Sequence, residues 1–193
     1  YISSTSGQAL INGIDILEDP IKAKAQIGYL PELPPLYLDM TVMGYLNFVY
    51  DLKKCKLPRR SHLKDVCNLC RISDVSGRVI KHLSKGYRQR VGLAQALINN
   101  PPILILDDSV SAVDTRTEKI ILDNLKTSRA GKTTLLIAHR ISTVEQLDKI
   151  VFIEDGRVEA VGPHDELYRS CAEYRRMVDL QKLEDEEGGG SHG

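Results

Sequence analysis

The chain of 193 residues has no tryptophan, two phenylalanines and four cysteines, and its formal net charge is zero. Four cysteines in this length do not form the dense disulfide framework of a small secreted scaffold. A net charge of zero creates no strong global field toward nucleic acid or anionic lipid. The longest purely apolar runs, such as Ile103 to Leu106, are far shorter than the roughly 18 residues that span a bilayer. We therefore expect neither a nucleic-acid partner nor direct insertion into a membrane.

Both ends of the sequence lead to expectations about processing. The first residue is Tyr1 rather than Met, and residues 1–4 contain neither the basic nor the apolar region of a signal peptide. We expect the chain to begin inside a larger protein. From Glu184 the sequence is acidic and then ends in Gly-Gly-Gly-Ser-His-Gly, which predicts a disordered tail over 188–193 of the kind added for expression.

The cysteines include one closely spaced pair, Cys67 and Cys70, with His62 nearby. A structural zinc site needs four ligands, and the sequence contains no second C-x-x-C and no H-x3-H. The pair lies in a pattern of apolar residues at helical spacing, and cysteine is among the most often buried residues. We favour buried, reduced thiols over a metal or redox site, in keeping with a reducing compartment.

The pattern of short apolar runs predicts an α/β fold. Ile103 to Leu106 and Leu135 to Ala138 alternate with helical patterns, which is typical of a parallel sheet covered by helices on both faces. Residues 31–100 differ, because three amphipathic patterns follow one another there without a strand. They predict an inserted helical subdomain whose helices open at Thr41, Pro58 and Ser84. An Asn12-Gly13 turn predicts an N-terminal β-hairpin over residues 7–16.

The remaining expected elements are short, and each is bounded by a turn or cap signal. They are a helix opened by Asp19-Pro20, a strand at Ile27 to Leu30, helices at 115–128 and at Thr143 to Leu147, a hairpin over 149–161 that turns at Asp155-Gly156, and one or two helices over 164–183.

Two acidic residues, Asp107 and Asp108, follow the apolar run at 103–106. A buried parallel strand delivers such carboxylates to its carboxyl end, where α/β sheets bind ligands. Asp107 could hold Mg²⁺ through a water molecule, and Asp108 is a candidate general base for an attacking water. The alternative is a core strand followed by an acid that caps the next helix, and this pattern alone does not separate the two.

Three further motifs accompany the acidic pair. Leu83-Ser84-Lys85-Gly86-Tyr87 opens a predicted helix, whose free N–H groups and dipole would favour an anion, although a simple N-cap explains it equally well. Ser111-Ala112-Val113-Asp114 follows the acidic pair. His139 ends the strand after that, and a lone histidine is more often structural than functional.

Taken in this order, the motifs resemble the nucleotide-binding domain of ABC transporters over roughly residues 1–183. Residues 83–87 resemble the signature motif, 103–108 the Walker B motif with its catalytic acid, and 111–114 the D-loop. His139 resembles the switch histidine, and Glu32 stands where the family has its Q-loop glutamine. The resemblance implies a parallel sheet like that of P-loop NTPases.

The resemblance also implies a mechanism, cofactors and partners. Two such domains, identical or different, would close over two ATP molecules, and closure would drive a transmembrane transporter domain that docks near the Q-loop and helical subdomain. Ser84, Lys85, Gly86 and Tyr87 would contact the nucleotide of the partner domain. Asp107 would bind Mg²⁺ through water, and Asp108 would orient or deprotonate the attacking water. His139 would hydrogen-bond to the γ-phosphate, and Asp114 would link the two sites across the dimer. The chain would lie in the cytoplasm, at the inner face of a membrane.

The largest departure from the family is the Walker A motif, G-x-x-x-x-G-K-[ST], which does not occur in the sequence. Gly131-Lys132-Thr133-Thr134 resembles its end, but it precedes a predicted strand, whereas a P-loop follows a strand and opens a helix. We expect the motif in a missing N-terminal piece. The predicted segments are a remnant of the N-terminal core with the hairpin at 1–30, the helical subdomain at 31–100, the α/β core at 101–163, C-terminal helices at 164–187 and the tail at 188–193.

Smaller departures affect the site itself. Glu32, Lys85 and Tyr87 replace the family's usual Gln, Gly and Gln, and Asp108 replaces its usual catalytic Glu. Aspartate is one methylene shorter, and a misplacement of about 1 Å can cost on the order of 10²-fold in rate. We therefore expect slow hydrolysis at any site built around Asp108.

The two halves of the sequence resemble different branches of the family. Residues 1–106 resemble importer-like or ABC-2-type subunits, and residues 107–183 resemble multidrug exporters, which suggests a fusion of two parents. Three functions remain open on the sequence alone: an ATPase motor domain, a non-catalytic fragment or chimera that cannot bind ATP alone, and an α/β interaction domain with a chance Walker B pattern.

Overall fold

The computed structural model describes residues 5–107, 113–138 and 140–189, and the chain divides into two compact units, Tyr1–Ile137 and Ala138–Gly193. Asp108, Ser111, Ala112 and His139 lie outside the described residues. The boundary between the units falls inside the predicted α/β core at 101–163, just after its last parallel strand.

The first unit contains five strands and five helices among its described residues. In chain order they are β1 (Leu10–Ile11), β2 (Ile14–Asp15), α1 (Pro20–Ala25), β3 (Ile27–Leu30), α2 (Val42–Leu52), α3 (Arg59–Leu69), α4 (Lys85–Leu97), β4 (Ile103–Asp107), α5 (Thr115–Ser128) and β5 (Thr133–Ile137). Two short 3-10 turns, Ser73–Val75 and Ile80–His82, separate α3 from α4.

Strands β3, β4 and β5 form one parallel sheet in that order. Leu30 pairs with Leu106 and Leu106 with Leu136, so the three carboxyl ends lie at one edge. One face of the sheet, with Leu30, Leu104 and Leu106, is fully buried. On the other face Tyr29 is 45% and Leu135 51% exposed, while Ile103 and Ile105 are half-buried. Among the described residues of this unit, burial is therefore greater on the face that carries Leu30, Leu104 and Leu106.

Helix α4 packs unusually close to β3 because glycines lie at the contact. A Cβ added at Gly28 would stand 2.3 Å from the Ala96 carbonyl oxygen, and one added at Gly92 would stand 2.7 Å from Leu30 Cδ1. Ala96 therefore lies beside the middle of β3 and Gly92 beside its end. Helix α4 runs antiparallel to β3, with its N-terminus toward the carboxyl edge of the sheet.

The helices of the predicted subdomain have the capping signals that the sequence indicated. Thr41 Oγ1 accepts a hydrogen bond from the Gly44 N–H at 3.1 Å, and Ser84 caps α4. Helices α2 and α3 both end in the hydrogen-bond pattern of the Schellman motif, whose left-handed position usually holds glycine. Here Lys54 and Arg71 occupy it, with φ of 50° and 57°.

The second unit is built from a hairpin and helices: α6 (Ile141–Val144), β6 (Ile150–Glu154), β7 (Arg157–Gly162), α7 (His164–Ser170) and α8 (Ala172–Gly189). The hairpin turns at Asp155 and Gly156, both with positive φ as a tight primed turn requires. Tyr174 packs edge-on against Phe152 and hydrogen-bonds to His164 Nδ1 at 2.9 Å. No helix in the described ranges is long and apolar enough to cross a membrane.

Most expected elements are confirmed, and three need correction. Strand β5 starts at Thr133 rather than Leu135 and ends at Ile137, because Thr133 and Thr134 pair with β4. Helix α6 occupies Ile141–Val144 rather than Thr143 to Leu147, and Gln181 Oε1 accepts from the Ile141 N–H at its start. Helix α8 continues to Gly189, into the predicted tail, since each residue added to an existing helix gains a backbone hydrogen bond.

Candidate nucleotide site

The carboxyl edge of the parallel sheet is the place where an α/β protein binds a ligand. Asp107 is the last residue of β4, is half-buried and pairs in register with Ile137. Glu32 follows β3 by two residues and is exposed. The topology therefore brings the Walker B acid and the Q-loop position to one edge, as the resemblance implied.

The signature residues lie at the first turn of α4. Ser84 Oγ accepts a hydrogen bond from the Tyr87 N–H at 3.3 Å, so Ser84 acts as an N-cap as well as carrying the motif. Ser84 and Lys85 are exposed, while Gly86 and Tyr87 are half-buried. The helix begins at the solvent, and its amide groups and positive dipole end are available to an anion.

The signature residues and Asp107 are well separated within one chain. Gly92 lies beside Leu30, at the carboxyl end of β3, and eight residues separate it from Ser84. At about 1.5 Å per residue, Ser84 lies roughly 12 Å beyond that end of the strand. The first turn of α4 therefore projects away from the sheet edge instead of closing over it.

A cluster of side chains fixes the orientation of the signature helix. The Tyr87 hydroxyl donates to Asp74 Oδ2 at 2.7 Å, and the Arg90 guanidinium lies 3.7 Å from the centre of the Tyr87 ring. Arg90 Nη1 also donates to the Arg71 carbonyl oxygen at 2.7 Å. The tyrosine that departs from the family pattern thus ties α4 to the segment after α3.

Gln89 joins the Q-loop segment to the signature helix. Its side chain is 3% exposed, and Nε2 donates to the Glu32 carbonyl oxygen at 2.6 Å. Sequence reasoning missed this residue, and the available signal was its helical spacing of three, four and seven residues from Gly92, Leu93 and Ala96, which places it on the same face of α4. The contact uses the backbone of Glu32, so it leaves the Glu32 carboxylate free for another partner.

The other end of α4 is capped by Lys53, which sequence reasoning also missed. Its ammonium group donates to the carbonyl oxygens of Gln95 at 2.7 Å and Ile98 at 3.3 Å. Burial lowers the pKa of Lys53 to about 8, because the charged form loses its hydration. Lys53 satisfies the last carbonyls of the helix that carries the signature residues, and nothing in its sequence context signals this role.

Asp114, at the D-loop position, is the N-cap of α5. Its Oδ1 accepts a hydrogen bond from the Thr117 N–H at 2.9 Å. That hydrogen bond lowers the pKa of the Asp114 carboxyl, and the positive charge of Arg90 acts in the same direction. Asp114 is exposed, so the cap leaves it accessible to solvent.

The closely spaced cysteine pair lies in the core of the first unit. Cys67 and Cys70 are free, buried thiols, and burial raises the pKa of both. Across residues 5–107, 113–138 and 140–189, no group of three or more potential ligands could hold a metal ion. His62 instead accepts a hydrogen bond from the Asn99 N–H at 3.2 Å.

Comparison with known proteins agrees with this geometry. The family profile described as ABC transporter matches residues 1–111, more than half of the chain. The chain belongs to the ABC transporter family. It is 37% identical over 197 residues to an ATP-dependent lipid A-core flippase of Syntrophus aciditrophicus, a match that covers 97% of the chain. It is 35% identical over 194 residues to a probable multidrug resistance ABC transporter of Bacillus subtilis, YheI, over 96% of the chain.

Solved ABC proteins have the same fold. A bacterial Atm1-family ABC exporter with ATP bound superposes with a TM-score of 0.79 and 30% identity over 92% of this chain and 32% of that one. A dimeric bacterial ABC transporter cassette, MJ0796, superposes with a TM-score of 0.73 and 25% sequence identity. That match covers 82% of this chain and 74% of the cassette. The chain spans about a third of the curated relatives, 32% of the flippase and 33% of YheI. It is an ABC nucleotide-binding domain with a P-loop-NTPase-like sheet.

Proposed function

We propose that the chain works as the ATP-binding motor of an ABC transporter and shares each nucleotide with a second domain. The observation that carries this proposal is the position of α4, whose capped N-terminus projects roughly 12 Å past the sheet edge. Ser84 and Gly86 then contact the γ-phosphate of a nucleotide held on the P-loop of the partner domain. Lys85 and Tyr87 flank that contact, with Tyr87 held by Asp74.

The residues at the sheet edge take complementary roles. Asp107 carries a carboxylate at the end of β4, and carboxylate oxygens suit Mg²⁺, which usually keeps several waters and few protein ligands. The exposed first turn of α4 suits a phosphate. The Asp107 carboxylate and the first turn of α4 therefore fit Mg²⁺ and ATP. When bound, ATP would supply the phosphoryl group and Mg²⁺ would neutralise its negative charge.

The remaining roles follow from the family motifs. Asp108 orients or deprotonates the attacking water, His139 donates a hydrogen bond to the γ-phosphate, and Asp114 links the two sites across the dimer. Glu32 replaces the Q-loop glutamine and reports the state of the site to the transmembrane partner. Gln89 connects the Glu32 backbone to α4, so a movement of the Q-loop segment is transmitted to the signature helix.

An exposed apolar surface beside the Q-loop suits the transmembrane partner. Leu33 is 74% exposed, and Tyr37 packs edge-on against the exposed Phe48 with ring centroids 5.3 Å apart. Large exposed apolar side chains grouped in this way mark interaction sites. The partner docks here, close to Glu32, and the assembly lies at the cytoplasmic face of a membrane.

A second candidate function rests on the absence of the Walker A sequence from these 193 residues. These 193 residues alone offer ATP no P-loop to hold its phosphates. It would then be a non-catalytic fragment or a chimera that supplies Ser84 and Gly86 to a partner's Walker A. Saturable binding of Mg-ATP to the purified chain would contradict this alternative, and an intact mass well above 21.6 kDa would show that residues precede Tyr1.

The motor function is tested with Ser84→Arg in a version of the domain that carries a P-loop. The bulky cation should abolish closure over ATP and lower ATPase activity by at least about 10²-fold, because it removes phosphate contacts made in the transition state. Ser128→Arg, at the far end of α5, is the matched control and should leave ATPase activity unchanged. Equal activity of Ser84→Arg and the control would instead favour the interaction-domain reading.

The slow site is tested with Asp108→Glu in the same P-loop-bearing protein. The added methylene restores the reach of the family's usual acid, so the steady-state rate should rise on the order of tenfold. Asp107→Asn should lower activity in both backgrounds, since it weakens Mg²⁺ binding. No gain with Asp108→Glu would refute the assignment of Asp108 as the residue that limits hydrolysis.

A further inference from the structure

The zero net charge of the chain hides a strong local asymmetry. Between Lys53 and Arg90 there are twelve lysines and arginines and two aspartates. Residues 53–64 alone contain six cations and no acid. The chain as a whole has no net charge, but the segment around residues 52–60 has a positive electrostatic potential. We call residues 52–60 the α2–α3 turn.

The α2–α3 turn is held in one conformation by contacts of alternate residues. Cys55 is buried, and its N–H donates to the Tyr50 carbonyl oxygen at 3.1 Å. The Tyr50 hydroxyl donates to the Leu57 carbonyl oxygen, and Lys53 reaches inward to α4. The residues between these anchors, including Lys54 and Lys56, face solvent.

The outward side of the turn combines cations with exposed leucines. Leu52 is 68% exposed and Leu57 is 36% exposed, and they flank Lys54 and Lys56. Within the described residues, the side chains of Lys54, Lys56, Arg60 and Lys64 form no hydrogen bond or ion pair. Arg59 differs, because it pairs with Asp51, with Nη1 3.0 Å from Oδ2.

The backbone at Lys54 is a second observation. Its φ of 50° places a lysine where the Schellman motif usually holds glycine, and a Cβ in this conformation costs free energy. The helix dipole offsets part of that cost, since it favours a cation near the end of α2.

A groove beside the turn has the same chemistry. It has a volume of about 440 Å³, and its floor includes Met43, Leu63 and Cys67. Arg59, Arg60 and Lys64 line it together with Asn47, Ser73 and Ser76, and no carboxylate does. Cations above an apolar floor are complementary to a ligand that has both a phosphate and an apolar part.

From these features we propose that the α2–α3 turn binds the surface of an anionic phospholipid bilayer. Lys54, Lys56, Arg60 and Lys64 contact the headgroups, and Leu52 and Leu57 enter the interfacial layer. An acidic protein segment would satisfy the cations, but exposed leucines between lysines favour the lipid surface. The contact is peripheral and involves no membrane-spanning segment. It does not depend on nucleotide binding, so it is independent of the proposed motor function.

The test uses the 193-residue chain with lipid vesicles in a sedimentation assay. We expect binding to phosphatidylcholine vesicles with about 30 mol % phosphatidylserine, and none to phosphatidylcholine alone. Lys54→Glu with Lys56→Glu should weaken binding at least about 25-fold, since each cation near such a surface contributes roughly fivefold. Lys119→Glu with Lys149→Glu, which changes the net charge equally at other exposed sites, should leave binding unchanged.

A tryptophan reporter separates lipid from other anions, because the chain contains no tryptophan. With phosphatidylserine vesicles, Leu57→Trp should show a blue-shifted emission that brominated lipid quenches, while Leu180→Trp should show neither change. The proposal is overturned if the two charge variants bind equally. It is also overturned if Leu57→Trp emission does not change, in which case an acidic protein becomes the better candidate.

Discussion

The two compact units bury apolar surface on very different scales. Among the described residues, the core of the first unit contains twenty-five buried residues, drawn from β3, β4, helices α2 to α5 and the segments between them. The core of the second contains five: Ile141, Ile150, Leu167, Tyr174 and Val178. Small domains bury a smaller fraction of their surface and are correspondingly marginal. Single truncations in the core should therefore destabilise the second unit more than the first.

The largest expected effect is at Tyr174, where one side chain supports most of the second unit. Tyr174→Ala removes the packing on Phe152 and the hydrogen bond to His164, and should cost about 3–5 kcal/mol. Hydrogen exchange should show that residues 141–178 lose protection while α2 and α4 keep theirs.

Leu180→Ala is the control for Tyr174→Ala, because Leu180 lies on the same helix, is 52% exposed and should change protection little. A uniform loss of protection across both units would contradict the comparison, since it would mean that the units unfold together.

The second effect tests the close packing of the first unit. Gly28→Ala forces a Cβ against the Ala96 carbonyl oxygen, so the free energy of unfolding should fall by about 2–3 kcal/mol in urea titrations. Gly77→Ala, where an added Cβ meets nothing within 4 Å, should change it by less than about 1 kcal/mol. Similar values for the two variants would show that α4 and β3 separate easily.

The smallest effect is a pH dependence at Lys53. Burial lowers its pKa in the folded chain to about 8, whereas the unfolded chain has the ordinary value of 10.5. Between these values the unfolded chain holds more protons at this group, so stability should rise with pH. From pH 7.5 to 9.5 we expect the free energy of unfolding to rise on the order of 1 kcal/mol. The carbonyl contacts of Lys53 reduce this rise, because they favour its charged form.

Thermal unfolding of Lys53→Met over the same pH range is the control for Lys53. The variant lacks the titrating group, so its stability should not rise with pH. An equal rise in the variant and the parent chain would assign the effect to another group.

Much of the fold could be predicted from local signals. The Asn12-Gly13 turn, the Asp19-Pro20 and Thr41 helix starts and the strand at Ile27–Leu30 all lie where local sequence indicated. Each depends on residues within a few positions of one another. The start of β5 was misplaced because Thr133 and Thr134 have no apolar signal, and pairing with β4 decided their state.

The candidate site was predictable only in part. Ser84, Asp107 and Asp114 carry motif residues, so their positions follow from strand and helix boundaries. Gln89 and Lys53 carry no motif, and their roles depend on carbonyl oxygens more than forty residues away in sequence. Asp108 and His139 lie outside the described residues, and their roles stay predictions, as does the fusion of two parents.

The sequence by itself determined the family, the order of elements and the caps, because these follow from motifs and from short-range hydrogen bonds. Only the tertiary structure shows that α4 points its signature residues past the sheet edge, and that Gln89 and Lys53 meet carbonyl oxygens far away in the sequence. These outcomes depend on which distant side chains meet, and neither composition nor periodicity contains that information.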